Sequence, residues 1–214
     1  MTERFCETAG VRGVLFDLDG TLLDSFPAHF EAYRVMFRRF EIEISEESFL
    51  AAYSPNWYLT YSAFGLPEAV WKEANSYWVE AAEKLPPVPF PGAGRALEAL
   101  RASGRRLGIV TSGSRGRVLR DLESSGLRHF FEVLVTGDDV REPKPAPEGL
   151  LLGLRQLGMT AAEAVYVGDA DADYQMARAA GVQFLGIPSA FASIKDDHPC
   201  HKIRSIEDLP KLFE

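Results

Sequence analysis

Val14-Leu15-Phe16-Asp17-Leu18-Asp19-Gly20-Thr21-Leu22-Leu23-Asp24-Ser25 holds an apolar run, two carboxylates one residue apart and a Gly-Thr turn. Apolar residues of this kind, with Gly13 ahead of them, predict a buried parallel strand, which puts Asp17 and Asp19 at its C-terminal end. In open α/β sheets that end is where ligands bind. Aspartates there cap a turn, bind a cation or act as a nucleophile, and Asp19-Gly20 alone reads as an ordinary turn. The choice among the three depends on whether the rest of the chain supplies partners.

Past this stretch the pattern turns helical. Phe26, Phe30, Tyr33, Phe37 and Phe40 recur at intervals of four and three, which predicts one face of a helix. Residues 25–86 read as several helices without a strand. They carry all three tryptophans, Trp57, Trp71 and Trp78, along with Phe49, Tyr53, Tyr58, Tyr61, Phe64 and Tyr77. Aromatics in such number are expected to form the core of a small helical bundle. Pro86-Pro87-Val88-Pro89-Phe90-Pro91-Gly92 then marks a boundary, because a proline-rich run is stiff and cannot continue a helix.

Beyond the boundary, strands and helices alternate. Pro91 is expected to open a helix running to Arg101, ended by Gly104. Arg106 to Val110 reads as a strand closing on Thr111-Ser112-Gly113-Ser114, and Arg117 to Ser125 as a helix. Val133-Leu134-Val135 reads as a strand, followed by a loop through Lys144 and a helix over Glu148 to Leu157. Ala164 to Val167 is a strand closing on Gly168-Asp169-Ala170-Asp171-Ala172-Asp173, a helix follows to Ala180, and Val182 to Ile187 is a fifth strand. Such alternation predicts an α/β fold: a Rossmann-like parallel sheet with right-handed crossovers and helices on both faces. The expected division is a core domain of residues 1–24 and 87–214, with a small α-helical domain of residues 25–86 inserted.

Composition narrows the functional classes. Apolar content of 46% and charged content of 25% are ordinary for a globular chain. A net charge of −8 argues against a broad nucleic-acid or anionic-membrane surface, since both demand clustered cations. No stretch approaches the length of a membrane-spanning helix, and Met1 to Gly10 shows no apolar core of a secretory signal. The two cysteines, Cys6 and Cys200, lack metal-ligand spacing and fit reduced thiols, so a cytoplasmic location is expected. His198 and His201 beside Cys200 are expected to belong to a polar surface turn rather than a metal site. No feature fixes an oligomeric state.

Four polar clusters thus fall at the C-terminal ends of four expected strands: Asp17 with Asp19, Thr111 with Ser112, Lys144 on its loop, and Asp169 with Asp173. Taken singly, each has a dull explanation as a turn, an N-cap or a solvated charge. Together they have a chemical logic. Close-packed carboxylates repel and partly protonate unless a cation holds them ionised. Oxygen-only ligands favour a hard ion such as Mg²⁺. A hydroxyl and backbone N–H groups at a helix start, with a lysine beside them, can receive a dianionic phosphate. A carboxylate nucleophile can divide phosphoryl transfer into two easier steps.

On these motifs the sequence resembles the haloacid dehalogenase superfamily over essentially its whole length, in the phosphatase branch with a helical cap. The resemblance implies that Asp17 attacks phosphorus. It implies that Asp19 protonates the leaving oxygen and later activates water, while its backbone carbonyl helps bind Mg²⁺. Thr111, Ser112 and Gly113 match the motif that holds phosphate oxygens, with the hydroxyl coming from Thr111 or Ser112. Lys144 matches the lysine that neutralises nucleophile and phosphate, Asp169 the metal ligand, and Asp173 the acid that supports the metal shell. Ala170 stands where many relatives have serine. The implied partner is a small phosphorylated metabolite held between cap and core, with phosphoglycolate phosphatase as the nearest description. The alternatives are a sugar-phosphate mutase, in which His29 times cap closure, a dehalogenase, and a non-catalytic binding protein. Asp19 and the metal motif argue against the dehalogenase, the Ser54-Pro55-Asn56-Trp57 region lacks the Gly and Arg pattern of the mutases, and no motif residue is lost as a binding protein would allow.

Overall fold

The structure, a computed structural model, describes residues 8–54, 57–189, 192, 194, 195 and 198–213. Cys6, Pro55 and Asn56 therefore lie outside the described residues. Two compact units are present, one of residues Met1–Asp24 with Val88–Glu214, the other of Ser25–Pro87.

In the larger unit, β1 (Gly13–Phe16) is buried at all four positions, as its apolar run requires. The chain turns tightly after it. The Leu18 carbonyl accepts from the N–H groups of Leu22 and Leu23, both at 3.0 Å, and Gly20 N donates to Leu23 O at 2.9 Å. This turn delivers β2 (Leu23–Asp24). In the smaller unit the helices are α1 (Phe26–Arg38), α2 (Glu46–Ala52), α3 (Trp57–Ala63) and α4 (Trp71–Glu83). Returning to the larger unit, β3 (Val88–Pro89) pairs antiparallel with β2, Asp24 opposite Val88 and Leu23 opposite Pro89.

There follow α5 (Ala93–Ala102), β4 (Arg106–Val110), α6 (Arg115–Ser124), β5 (Val133–Val135), α7 (Glu148–Leu157), β6 (Ala164–Gly168), α8 (Asp171–Ala179), β7 (Gln183–Gly186) and β8 (His201–Lys202). Strands β5-β4-β1-β6-β7-β8 form a sheet in that order, with every pairing parallel. Alternating side chains feed two cores. Val14, Phe16, Leu107 and Ile109 join Leu97, Leu100, Val118 and Leu122 of α5 and α6 on one face. Leu15, Val110 and Tyr166 join Leu150, Leu154, Met176 and Ala177 of α7 and α8 on the other. The α/β class and its helix-covered parallel sheet are those expected from the sequence.

Several boundaries differ, each for a local reason. Helix α5 starts at Ala93 rather than Pro91, because Gly92 precedes it in the left-handed region at φ +79°. Helix α6 starts at Arg115 rather than Arg117: Ser114 is an extended N-cap, and the Asp138 carboxylate accepts from Arg115 N at 2.8 Å, satisfying an otherwise orphan donor. The two-residue strand β8 and the β2–β3 pair were not expected.

The smaller unit is helical throughout its assigned elements, with α1 packed on α4. Phe49, Phe37 and Tyr61 are fully buried, and Tyr33 stands 5.1 Å from Phe49 between ring centroids. The expected aromatic face of α1 holds for Phe26, Tyr33 and Phe37, which are buried. Phe40 falls past the helix end, where Glu41 takes a left-handed conformation at φ 59°, and contacts Tyr77. His29 sits on the buried face of α1 with its ring edge-on to Trp78.

Candidate active site

Because β1 lies between β4 and β6, the loops that leave β5, β4, β1 and β6 open side by side at one edge of the sheet. This is the position where the strand order reverses and a crevice forms. Asp17 follows β1 directly and is anchored by its backbone, Asp17 N donating to Val167 O of β6 at 2.8 Å. Thr111 follows β4 in the same way, its N–H donating to Val135 O of β5 at 3.0 Å. Lys144 comes from the loop between β5 and α7, Asp169 from the turn after β6, and Asp173 from the first turn of α8.

The structure brings together the residues expected on chemical grounds. Asp17, Asp169 and Asp173 each present an oxygen within 4.8 Å of the others, and all three are buried. Lys144 Nζ donates to Asp17 Oδ1 at 2.6 Å, to Asp173 Oδ1 at 2.7 Å and to Tyr166 Oη at 2.8 Å, which uses all three ammonium protons. Asp173 Oδ2 also accepts from Ala170 N at 3.2 Å, so this acid secures its own helix start. Thr111 is buried, with its Oγ1 3.3 Å from Gly113 N; Ser112 is half-buried beside it.

The electrostatics favour a counter-ion. Burial first, then the charges of Asp173 and Asp19, push the Asp17 carboxyl up to about 7, against the opposing pull of Lys144. Asp169 is raised well above its ordinary value by burial and by Asp17 and Asp173. Burial works against the Lys144 charge, yet Asp17 and Asp173 hold its amine above the usual lysine range. One lysine against three buried acids leaves the cluster short of positive charge. An all-oxygen donor set with that deficit suits a hard divalent cation.

Gly20 fits the same picture. Its φ is +77°, and a Cβ there would come 2.2 Å from Asp169 Oδ2 and 2.6 Å from Ser189 Oγ, so only glycine lets the turn lie against the acid.

Three residues that sequence reasoning passed over take part. Tyr166, fully buried in β6, accepts from Lys144 and donates to Val110 O at 2.8 Å. Ser189 hydrogen-bonds the Asp169 carboxylate. Arg117 grips Asp19, its Nη1 donating to Oδ1 at 3.1 Å and its Nη2 to Oδ2 at 2.6 Å. Tyr166 was the one with a visible signal, a hydroxyl in an otherwise aliphatic strand. The Asp19 side chain is thus tied to Arg117 and is not one of the three acids whose oxygens cluster, although its charge still acts on Asp17. His198, expected in a polar surface turn, lies 2.9 Å from Asp171 Oδ1 and stacks on Tyr174; among the described residues the only group of acids, histidines and cysteines arranged to hold a metal is that of Asp17, Asp169 and Asp173.

Residues 14–187 match the family model of haloacid dehalogenase-like hydrolases. The chain is 34% identical to a phosphoglycolate phosphatase of Salmonella typhi over 205 residues, covering 83% of this chain and 81% of that protein. It is also 34% identical over 207 residues to the pyrophosphatase PpaX of Bacillus pumilus, covering 95% and 94%. A hydrolase of Streptococcus pneumoniae described as a haloacid dehalogenase-like family protein superposes with a TM-score of 0.84 at 20% identity, over 96% of this chain and all of that one, which speaks to fold alone. The chain belongs to the haloacid dehalogenase-like hydrolase family. Within it, the chain sides with the helical-cap branch whose relatives carry phosphatase names.

Proposed function

We propose that the chain is a Mg²⁺-dependent phosphatase that hydrolyses a small phosphate monoester through an aspartyl-phosphate on Asp17, in the manner of a phosphoglycolate phosphatase. The observation that carries this reading is the 2.6 Å contact of Lys144 with Asp17 inside the three-acid cluster. A carboxylate paired with a lysine and placed after the central strand of the sheet is oriented to attack an anionic phosphoryl group.

In this reading Asp17 Oδ attacks phosphorus while the ester P–O bond breaks, and the leaving oxygen takes a proton from Asp19. Water, deprotonated by Asp19, then attacks the acyl phosphate, releasing inorganic phosphate and restoring Asp17. Lys144 offsets charge on the transferred group, and Thr111, Ser112 and the Gly113 backbone bind its oxygens. Asp17, Asp169 and the Asp19 carbonyl would hold Mg²⁺ with Asp173 in support, and the bound ion supplies charge that holds the acids ionised and polarises the phosphoryl oxygens. The helical unit serves as the cap, and the scarcity of cysteine fits a reducing, cytoplasmic setting. Among the described residues no helix is long and apolar enough to cross a membrane.

The relatives' names support phosphate-ester or phosphoanhydride chemistry, one being named for phosphoglycolate and another for pyrophosphate. The test is phosphate release from 2-phosphoglycolate, pyrophosphate and a set of sugar phosphates, with Mg²⁺ and with EDTA. Release from a phosphate monoester that EDTA abolishes is the expected outcome. Turnover indifferent to EDTA, or phosphate retained on a sugar product, overturns it.

A further inference from the structure

The acid that must exchange a proton in the proposed reaction sits beside three other buried carboxylates that attract a cation. A fourth carboxylate on a two-bond side chain could join them as a ligand and would then be lost to acid–base work. Instead, Arg117 takes both Asp19 oxygens in a two-pronged grip at 3.1 and 2.6 Å, a geometry that fixes orientation as well as charge. Arg117 is itself braced: its Nη1 donates to Asp121 Oδ2 at 3.1 Å, one turn further along α6. The side chains of Arg117, Asp19 and Asp121 are only 10%, 19% and 2% exposed, so the chain of contacts is shielded from water. Arg120 Nε, 3.6 Å from Asp121 Oδ1, also faces the brace. Space for the guanidinium comes from Gly113, where a Cβ would lie 2.1 Å from Arg117 Nη2.

We infer that Arg117 is a positioning residue which, braced by Asp121, holds the Asp19 side chain clear of the Asp17, Asp169 and Asp173 cluster and aims it at the leaving oxygen. The inference rests on the phosphatase reading above, in which Asp19 is the acid and base. It adds a residue in α6 that acts through Asp19 and touches no reacting atom.

The test compares phenyl phosphates of matched shape. p-Nitrophenolate departs without needing a proton, whereas p-methoxyphenolate needs one. In Arg117→Met, kcat/KM for p-nitrophenyl phosphate should fall by less than about threefold and that for p-methoxyphenyl phosphate by at least about tenfold, a share of the roughly 10²- to 10⁴-fold that acid–base catalysis contributes. Arg117→Lys, which keeps the charge but not the fork, should recover part of the difference, and Asp121→Asn should show the same preference more weakly. A purely structural role would lower both substrates equally, and equal losses in Arg117→Met and Asp121→Asn, with thermal melts showing folded protein, overturn the inference. Asp17→Asn separates the two levels. If that variant is inactive while the Arg117 losses are equal, only the positioning role fails; if it keeps full activity, the phosphatase reading fails with it.

Discussion

Tyr166 Oη lies 2.8 Å from Lys144 Nζ and 2.8 Å from Val110 O, so one buried phenol of β6 accepts a hydrogen bond from the site's lysine and donates its own to the backbone of β4, on the far side of β1. Lys144 is thereby fixed from below as well as by the two acids. Removing the hydroxyl leaves an ammonium proton and a carbonyl without partners in a dry site, which costs about 1–3 kcal/mol. Tyr166→Phe should therefore lower thermal stability and reduce kcat while leaving the chain folded. Calorimetry and steady-state kinetics check both; an unchanged melting temperature would mean that water replaces the phenol.

Lys144→Met keeps the length of the side chain and removes its charge. Asp17 and Asp173 are then left buried without a cation from the protein, and breaking such a pair costs about 3–5 kcal/mol. Turnover should collapse, and the metal-free protein should melt far below wild type. The stability loss should shrink in saturating Mg²⁺, a comparison that thermal melts make directly.

Gly20→Ala combines a left-handed backbone with a methyl group driven against Asp169. The strain of such a conformation is on the order of 1–3 kcal/mol before any displacement of the acid. The expected result is lower stability together with a higher Mg²⁺ concentration for half-maximal activity. A variant with normal metal response would show that Asp169 can move aside at no expense to binding.

The raised carboxyl of Asp17 makes the metal-free protein sensitive to pH. Between its ordinary value of 3.8 and about 7, the folded chain keeps a proton that the unfolded chain has released. The folded state binds more protons in that window, so stability falls as pH rises through it, by an amount on the order of a few kcal/mol. Asp169 is shifted in the same direction and adds to the slope. Melting curves of chelator-treated protein from pH 4.5 to 7.5 should show the decline, and Mg²⁺ should flatten it.

Asp17→Asn should be inactive and yet, without metal, more stable than wild type at pH 7.5. The amide keeps the shape of the side chain and removes one of three repelling charges. Phosphate release and thermal melts on the same sample test both halves; full activity would remove Asp17 from the nucleophile role.

The residues that sequence reasoning could reach were those whose chemistry is local. Val14-Leu15-Phe16 announces a buried strand by composition, and helix α7 is bounded by Glu148 and Gly158 as its periodicity required. Asp17, Lys144 and Asp169 were legible because each closes or follows an apolar strand. Arg117 was not, because its meaning comes from Asp19, 98 residues away in the chain, and its spacing on α6 looks like that of any solvated arginine. Tyr166 differs in that its hydroxyl stands out in an otherwise aliphatic strand, but only the sheet order places that hydroxyl against Lys144. The short strand β8 is two residues long and polar, with neither the length nor the alternation that marks a strand. Val88-Pro89 is hidden by the prolines around it, whose stiffness marks a boundary in the sequence while leaving room for an edge strand, which tolerates proline.

The pairing of Asp24 with Val88 gives the chain a point of exchange. The helical unit departs from and returns to a single antiparallel rung, so the catalytic scaffold experiences everything between those residues as the loop of a hairpin. Lengthening such a loop costs little, growing only with the logarithm of its size. The inserted unit can therefore be enlarged, shortened or replaced over evolutionary time while the strands carrying Asp17, Thr111 and Asp169 keep their register. A fold built this way can exchange one whole unit without disturbing the sheet of the other.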